Sequence, residues 1–261
     1  MLHADNLEGK LLRKVNKMKV YAKTDKGMVR EINEDTIYIP ENNDDLKLYI
    51  VADGMGGYQG GEIASSRSTE IAKKYILNNF EITFNTDEDI LKLVYGAVEY
   101  ANMRLMEEKK REDYLENMGS TICIALLVKD RLYIAHAGDS RIYRLRKDTL
   151  RRLTKDHSYV QILVDDGTIK EEDSVKHPKK NMITKAIGMS AVVTPDVSVQ
   201  KFINNDVMLL CSDGLTNYVK DEELKEILKN EEIEDPAEFL VDLANKRGGG
   251  DNISVIVVKN I

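Results

Sequence analysis

The sequence has little cysteine and no long apolar run, and each shortage argues against a class of protein. Its two cysteines, Cys123 and Cys211, lie within apolar stretches, so we expect buried free thiols in a reducing cytoplasm rather than a disulfide framework. No apolar stretch approaches the roughly 20 residues that span a bilayer. The first 17 residues are too polar for the apolar core of a signal peptide. The composition is therefore typical of neither a membrane protein nor a disulfide-rich secreted one.

The sequence also lacks a block of basic residues. Its 45 acidic and 38 basic side chains give a net charge of −7, and no cluster of lysine and arginine stands out to neutralise nucleic-acid phosphates. We therefore expect no nucleic-acid partner. We also expect no membrane partner and a monomeric protein. Because there is no internal repeat and no proline- or serine-rich linker, residues 18–261 are predicted to form one domain. Residues 1–17 are interpreted as an N-terminal extension or a cloning remnant.

Segments with strand and helix patterns come in blocks rather than in strict alternation. Apolar residues at helical spacing predict helices over residues 62–80, 88–109, 159–164, 221–229 and 236–246. Short apolar runs predict strands over residues 19–23, 36–39, 47–52, 120–129, 131–137, 141–146, 150–153, 197–201, 207–211 and 253–258. Short connections predict that the strands between residues 120 and 153 form one antiparallel meander. The block order favours antiparallel sheets covered by helices, an α+β fold.

Acidic residues recur at the ends of these predicted strands, most of them beside glycine. They are Glu34, Asp35, Asp53, Asp139, Asp213 and Asp251. A single Asp-Gly after a strand is a common turn signal, and a turn remains an alternative for each of them. Repetition favours a second interpretation, in which the carboxylates gather at one edge of a sheet and repel one another unless cations neutralise them.

The ligand type indicates which cation this cluster would prefer. Carboxylate oxygens suit hard divalent ions such as Mg²⁺ or Mn²⁺, and none of the four histidines has zinc-like spacing to another histidine or cysteine. Arg30 precedes Glu34 and Asp35, and its guanidinium could capture a phosphate, although a solvated surface arginine is the alternative. Together these features indicate metal-assisted phosphoryl hydrolysis, in which two ions activate a water for in-line attack on phosphorus.

Seven motifs in a fixed order resemble the metal-dependent protein phosphatases of the PP2C (PPM) family in its compact bacterial form. They are TDKGMVREINED at 24–35, VADGMGG at 51–57, MGST at 118–121, AGDSRIY at 137–143, TKDHS at 154–158 with HP at 177–178, LCSDGLTN at 210–217 and GDNIS at 250–254. No single motif is decisive, but the ordered set is very specific and covers roughly residues 18–259. The resemblance implies a four-layer α-β-β-α sandwich, with two antiparallel sheets flanked by helix pairs.

The resemblance also implies a role for each candidate residue. Asp53 would bridge two Mn²⁺ or Mg²⁺ ions, the Gly54 carbonyl would bind one of them, and Asp213 and Asp251 would complete the ligands of the first ion. By the same similarity Asp35 and Glu34 would hold the second ion, largely through bound water. Asp139 would help Asp213 to form a third, weaker metal site, and Arg30 would bind the substrate phosphate. A flap at about residues 156–189 would lie beside the site and influence substrate choice.

One position departs from the wider family. Many eukaryotic members carry a histidine after the Asp-Gly pair, usually assigned as the general acid, whereas this sequence has Met55. Methionine cannot donate a proton, so the resemblance leaves the source of the leaving-group proton open. Bacterial members commonly lack the histidine as well, and activity is still expected.

The implied function is hydrolysis of phosphoserine and phosphothreonine in phosphorylated proteins, including a cognate Ser/Thr kinase. A cysteine-based phosphatase is excluded, because Lys129 and Asn217 stand where an arginine would follow Cys123 and Cys211 by six residues. A catalytically silent pseudophosphatase that binds phosphoproteins is the alternative. Its mark would be a lost metal-bridging aspartate, and every one of these aspartates is present.

Overall fold

The computed structural model describes residues 18–41, 46–56, 60–81, 84, 86–111 and 117–261. Residues 1–17, interpreted as an extension, and Gly57 of the second motif lie outside these ranges. The strands are β1 (Met18–Asp25), β2 (Asp35–Tyr38), β3 (Lys47–Met55), β4 (Gly119–Ser120), β5 (Ile122–Val128), β6 (Arg131–Ala137), β7 (Arg141–Arg146), β8 (Thr149–Arg152), β9 (Asp196–Lys201), β10 (Val207–Cys211) and β11 (Ile253–Asn260). The helices are α1 (Gly60–Asn79), α2 (Asp87–Lys109), α3 (Tyr159–Asp165), α4 (Glu171–Ser174), α5 (Asp213–Thr216), α6 (Asp221–Lys229) and α7 (Pro236–Lys246).

The strands form two antiparallel sheets, as the sequence predicts. The first sheet has the order β1-β11-β10-β7-β8. The second has the order β2-β3-β5-β6-β9, with the short strand β4 also paired to β3. Every pairing between these strands is antiparallel. The α+β class is therefore confirmed.

Each central strand packs against a different layer on each of its faces. Leu48 and Ile50 of β3 belong to the core formed with α1 and α2, whereas Tyr49 and Val51 belong to the core between the sheets. Strand β11 divides in the same way, with Val257 facing the core formed with α6 and α7 and Ile256 facing the other sheet. Because both faces are buried, such strands read as continuous apolar runs in the sequence. The four-layer α-β-β-α sandwich is confirmed.

The prediction of one meander between residues 120 and 153 is wrong. Strands β5 and β6 form a hairpin in the second sheet, whereas β7 and β8 form a hairpin in the first. The chain crosses from one sheet to the other between Ala137 and Arg141. Gly138 has φ +119° at this crossing, a conformation that glycine adopts without a steric penalty. A short connection can close a hairpin or change sheets, so its length alone did not distinguish the two.

The predicted end of one strand and the turn interpretation after another need correction. Strand β3 does not end before Asp53 but continues to Met55, because β4 pairs Gly54 with Ser120 and Met55 with Gly119. After β10, Asp213 begins the short helix α5 rather than a simple turn. Asp53 therefore lies within a paired strand, and Asp213 lies at a strand-to-helix junction.

Two expectations from composition hold for the part of the chain that the structure describes. Cys123 and Cys211 are free and buried thiols. Among the described helices none is long and apolar enough to cross a bilayer.

Candidate metal centre

Two aspartates face each other across the β2–β3 pair. Asp35 is directly opposite Asp53 in the antiparallel register, so both side chains lie on the same face of the sheet. The Asp53 backbone is fixed on its other side, because its N–H donates to Thr121 Oγ1 at 2.9 Å and its carbonyl accepts from the Thr121 N–H at 2.8 Å. Like charges directly opposite in a sheet destabilise it, which indicates a functional reason for this pair.

The sheet crossing brings a third carboxylate, Asp139, to the same place. The crossing is attached to the flap, because Gly138 N–H donates to His157 Nδ1 at 3.1 Å and its carbonyl accepts from His157 N–H at 2.9 Å. Asp139 is only 8% exposed, and its Oδ1 atom has no hydrogen-bond partner among the described residues. Such an orphaned buried carboxylate oxygen indicates that a cation or another donor belongs there.

The other sheet contributes Asp213 and Asp251. Asp213 Oδ2 accepts from Asn217 Nδ2 at 3.0 Å, one turn further along the chain. Asp251 follows the glycine run at 248–250 and precedes β11. Asp35 and Asp53 thus come from the sheet covered by α1 and α2, Asp139 comes from the crossing between the sheets, and Asp213 and Asp251 come from the ends of strands in the other sheet. The cluster lies where the ends of both sheets meet.

Sequence reasoning missed the side chains that connect the two sheets. Ser212 Oγ donates to Asp35 Oδ2 at 2.7 Å and accepts from Ser254 N–H at 3.0 Å. Asn252 donates to the carbonyls of Lys26 and Ile32 at 3.0 and 2.9 Å, and its Oδ1 accepts from Glu34 N–H at 2.8 Å. Both residues stand beside a motif aspartate, but nothing in their spacing names partners that are far away in the chain.

The carboxylates raise one another's pKa values. Desolvation raises the pKa of Asp53 well above its ordinary value, and the charges of Asp35, Asp213, Asp139 and Asp251 raise it further. Desolvation also raises the pKa of Asp35 to about 7, although hydrogen bonds from Ser212 and Ser254 lower it. The pKa values of Asp139 and Asp213 are raised in the same way, first by burial and then by a neighbouring aspartate. The cluster therefore holds more negative charge than the protein alone neutralises.

Arg30 is the cation closest to this charge in the described contacts. Its Nη2 atom lies 3.0 Å from Asp251 Oδ1 and 3.1 Å from Asp251 Oδ2. The Arg30 side chain is 47% exposed, so the guanidinium sits at the rim rather than inside the cluster. Arg30 also lowers the pKa of Glu34, which desolvation raises overall. The sequence placed Arg30 near the acidic residues, but its ion pair with Asp251 was not predicted.

The donor set fits hard divalent cations. One oxygen each of Glu34, Asp35 and Asp139 is buried without a hydrogen-bond partner, and the cluster offers only oxygen ligands. Mg²⁺ and Mn²⁺ favour such ligands. Among the described residues, no three of these carboxylates have ligand atoms within 4.8 Å of one another, and the one group of side chains that does lies elsewhere.

That other group consists of His136, His157 and Asp196. The two imidazole rings stack with centroids 4.6 Å apart and planes 7° apart, so their in-plane lone pairs cannot converge on one ion. Asp196 already pairs with Lys185 Nζ at 2.8 Å. Desolvation lowers the pKa of His157 to about 4, and His157 carbonyl accepts from Thr184 N–H at 2.8 Å. These contacts make His157 a brace between the flap and the sheet crossing rather than a metal ligand.

Close backbone packing surrounds Gly54. A Cβ atom at this position would overlap the Gly61 carbonyl oxygen and come within 2.5 Å of the Glu34 carbonyl oxygen. Both obstacles are backbone atoms and cannot rotate away. The site therefore requires glycine here on steric grounds alone.

Gly54→Ala is expected to lower the free energy of unfolding by about 3 kcal/mol, as overpacking against backbone does. Gly167→Ala serves as the control, because its Cβ would meet nothing within 4 Å and only its φ of +76° is unfavourable. That variant should lose about 1 kcal/mol. Urea unfolding of both variants measures the difference. Equal losses would contradict the close packing at Gly54.

Comparison with known proteins agrees with this geometry. The family model described as "Protein phosphatase 2C" matches residues 21–162. The chain belongs to this family of metal-dependent protein phosphatases, and the resemblance carried by the seven motifs is confirmed.

Individual relatives extend over nearly the whole chain. The serine/threonine phosphatase stp of Listeria welshimeri is 38% identical over 240 residues, which are 91% of this chain and 94% of the relative. The serine/threonine phosphatase of S. agalactiae superposes with a TM-score of 0.85 at 36% identity, over 94% of this chain and 100% of the other. The catalytic domain of the phosphatase PstP, crystallised with two manganese ions, superposes with a TM-score of 0.80 at 34% identity, over 93% of this chain and 97% of the other.

Proposed function

We propose that the protein hydrolyses phosphoserine and phosphothreonine in phosphorylated proteins at a centre of two Mn²⁺ or Mg²⁺ ions, and that it reverses the action of a cognate Ser/Thr kinase. The observation that carries the proposal is the cluster of five mutually repelling aspartates with Arg30 at its rim. We further propose that residues 18–261 act as one phosphatase domain, as a monomer in the cytoplasm.

The roles of the residues follow the resemblance stated above. Asp53, the Gly54 carbonyl, Asp213 and Asp251 would hold the first ion, with Asp53 shared between both. Glu34 and Asp35 would serve the second ion, and Asp139 with Asp213 a third, weaker one. When bound, the ions supply an activated water and neutralise charge that develops on the phosphoryl group.

The chain's own residues would bind the phosphate and exclude other chemistry. Arg30 is suited to the phosphate because its guanidinium lies at the rim, half-exposed, and can exchange Asp251 for another anion. Met55 at the end of β3 cannot supply a proton to the departing serine or threonine oxygen, so the donor must be another group. Cys123 is buried, and burial raises the pKa of its thiol, so it is unsuited to act as a nucleophile.

Two findings favour turnover over silent phosphoprotein binding. Every aspartate assigned to the metals is present. The charges of Asp35, Asp139, Asp213 and Asp251 raise the pKa of Asp53, so these side chains act on one another. The relatives are named serine/threonine phosphatases, and the PstP structure contains two manganese ions. The pseudophosphatase alternative has no observation in its favour.

The proposal is tested by phosphate release from a phosphothreonine peptide with Mn²⁺ and with EDTA. Arg30→Ala should lower kcat/KM about 10- to 100-fold, mostly through KM, since a hydrogen bond to a charged group contributes about 1.5–3 kcal/mol. Arg30→Lys should recover part of the loss. Arg67→Ala, which removes an arginine from α1 whose side chain is 61% exposed, is the matched control and should behave as wild type. Turnover without metal would refute the mechanism.

A further inference from the structure

A cleft of about 480 Å³ opens from the aspartate cluster and continues beyond it. Asp139 and Asp213 line its inner end. One wall is the flap with α3 and α4, and the other is the segment from α5 to the start of α6. Its volume is within the range of ligand-binding clefts. Asp139 belongs to this lining; it is more than nine-tenths buried, and its Oδ1 atom has no hydrogen-bond partner among the described residues.

The cations in the walls of the cleft already have partners within the protein. Arg141 donates to both carboxylate oxygens of Asp156, at 3.0 Å from Nε and 2.6 Å from Nη2. Arg152 lies 3.9 Å from the same carboxylate. Lys180 Nζ donates to Asn217 Oδ1 at 3.2 Å. These side chains are therefore less available to a ligand than their number suggests.

The carboxylates at the outer end of the cleft are exposed to solvent. Glu171 and Glu172 begin α4 on one wall, and Asp221 and Glu222 begin α6 on the other. The side chains of Glu171 and Glu172 are 78% and 75% exposed, and each makes one long ion pair, with Arg152 at 3.8 Å and with Lys170 at 3.5 Å. Within the described residues, Glu222 makes no hydrogen bond and no ion pair. Arg152, which lies 3.8 Å from Glu171, and Lys220 are two lining cations against four carboxylates, so negative charge is in excess there.

An acidic first turn also stabilises a helix through its dipole, and this effect accounts for acidic residues at the start of α4 and α6 taken singly. It does not account for their arrangement. Two acidic helix starts lie on opposite walls of one cleft, and the inner end of that cleft is the aspartate cluster. A positively charged side chain between the walls would interact with both rows at once.

We propose that this cleft binds the residues flanking the phosphorylated side chain and favours phosphoprotein segments that carry lysine or arginine there. The proposal rests on the phosphatase function above, since it assumes that the phosphorylated residue occupies the inner end. Glu171, Glu172, Asp221 and Glu222, which we call the acidic mouth, determine the preference. Acidic segments are repelled by the same four residues.

The test uses the full chain with Mn²⁺ and three phosphothreonine peptides of equal length, flanked by arginine, alanine or glutamate. At low ionic strength the arginine peptide should show a kcat/KM about tenfold above that of the glutamate peptide, and salt should narrow the gap. Anisotropy of the corresponding dephosphorylated peptides, also with Mn²⁺, measures binding without any turnover. It should follow the same order.

Two double variants separate the acidic mouth from net charge. Glu172→Gln with Glu222→Gln should reduce the difference between the arginine and glutamate peptides to about threefold or less. Glu88→Gln with Glu99→Gln removes the same charge from α2 on the opposite layer, and it should leave the difference at the wild-type value. An equal reduction in both double variants would overturn the proposal.

The outcomes distinguish this inference from the function on which it rests. If phosphate is released from all three peptides at equal rates and they bind equally, the acidic mouth has no such role and the phosphatase function stands. If no peptide is hydrolysed but the binding preference depends on Glu172 and Glu222, the cleft is supported and the phosphatase function fails.

Discussion

Asp53→Asn is expected to abolish turnover and, at the same time, to raise the melting temperature of the metal-free protein. Turnover should fall by about three orders of magnitude or more, because metal ions contribute several kcal/mol of transition-state stabilisation. The stability gain has a separate cause. Four neighbouring aspartates and desolvation oppose the charge of Asp53, and no side chain among the described residues donates to its carboxylate. Asparagine keeps the shape and removes the repulsion.

The gain should be about 3 °C or more in melting temperature, since 1 kcal/mol corresponds to about 2–4 °C in a protein of this size. Melting in EDTA and in Mn²⁺ should also show that the variant loses most of the stabilisation that Mn²⁺ gives to wild type. Asp148→Asn is the control, because Asp148 is 78% exposed and pairs with Lys229 at 2.6 Å. A lower melting temperature for metal-free Asp53→Asn would show that the carboxylates do not repel one another there.

The second large effect is the pH dependence of the metal-free protein, whose stability should rise as pH falls from 8 to about 6.5. The pKa of Asp35 is raised to about 7 in the folded protein, above an unfolded value of about 3.8. A group of this kind contributes stability that is fully present below the unfolded pKa and is lost as pH rises through the folded pKa. Asp53, Asp139 and Asp213 act with the same sign, because their pKa values are also raised.

Below about pH 6.5 the two stacked histidines act with the opposite sign. Burial lowers the pKa values of His136 and His157, so their contribution is lost as pH falls below the unfolded value of about 6.5. Because four carboxylates with raised pKa values act against two histidines, the rise in stability should become shallower below that pH.

In the presence of Mn²⁺ the melting temperature should instead rise as pH increases from 6.5 to 8. Metal binding needs ionised carboxylates and competes with protons, so it strengthens as pH rises. Thermal melts at pH 6.5 and 8, with Mn²⁺ or EDTA, measure both slopes. The same slope in both conditions would contradict a metal site built from these aspartates.

The sequence predicted most elements of the fold but not how the strands divide between sheets. Strands β6, β7 and β10 and helices α6 and α7 have the predicted bounds, because a buried strand or an amphipathic helix leaves a local pattern. The sheet crossing at Gly138 was missed because pairing depends on residues far away in the chain. The short helices α4 and α5 were not located, because four residues are too few to show a period.

The candidate site shows the same division. The aspartates were predicted because each stands beside a strand in a motif, and the structure brings Asp35, Asp53, Asp139, Asp213 and Asp251 into one electrostatic group. The contacts of Ser212, Asn252 and Arg30 could not be predicted, since they join residues 177, 218 and 221 positions apart. The acidic mouth was not predicted either, because α4 and α6 are far apart in the chain and line one cleft only in the folded protein.

The division of the carboxylates between two sheets has a consequence for how this site can diversify. A site built on one strand could be altered without disturbing the rest of the protein. Here the distance between Asp53 and Asp213 depends on the thickness of the layer of side chains between the sheets, which includes Val51 and Leu210. Substitutions in that layer would change the spacing of the carboxylates without touching them. Metal preference in a lineage of such proteins can therefore drift through residues that never contact a metal, whereas the charged surface of the flap can vary on its own.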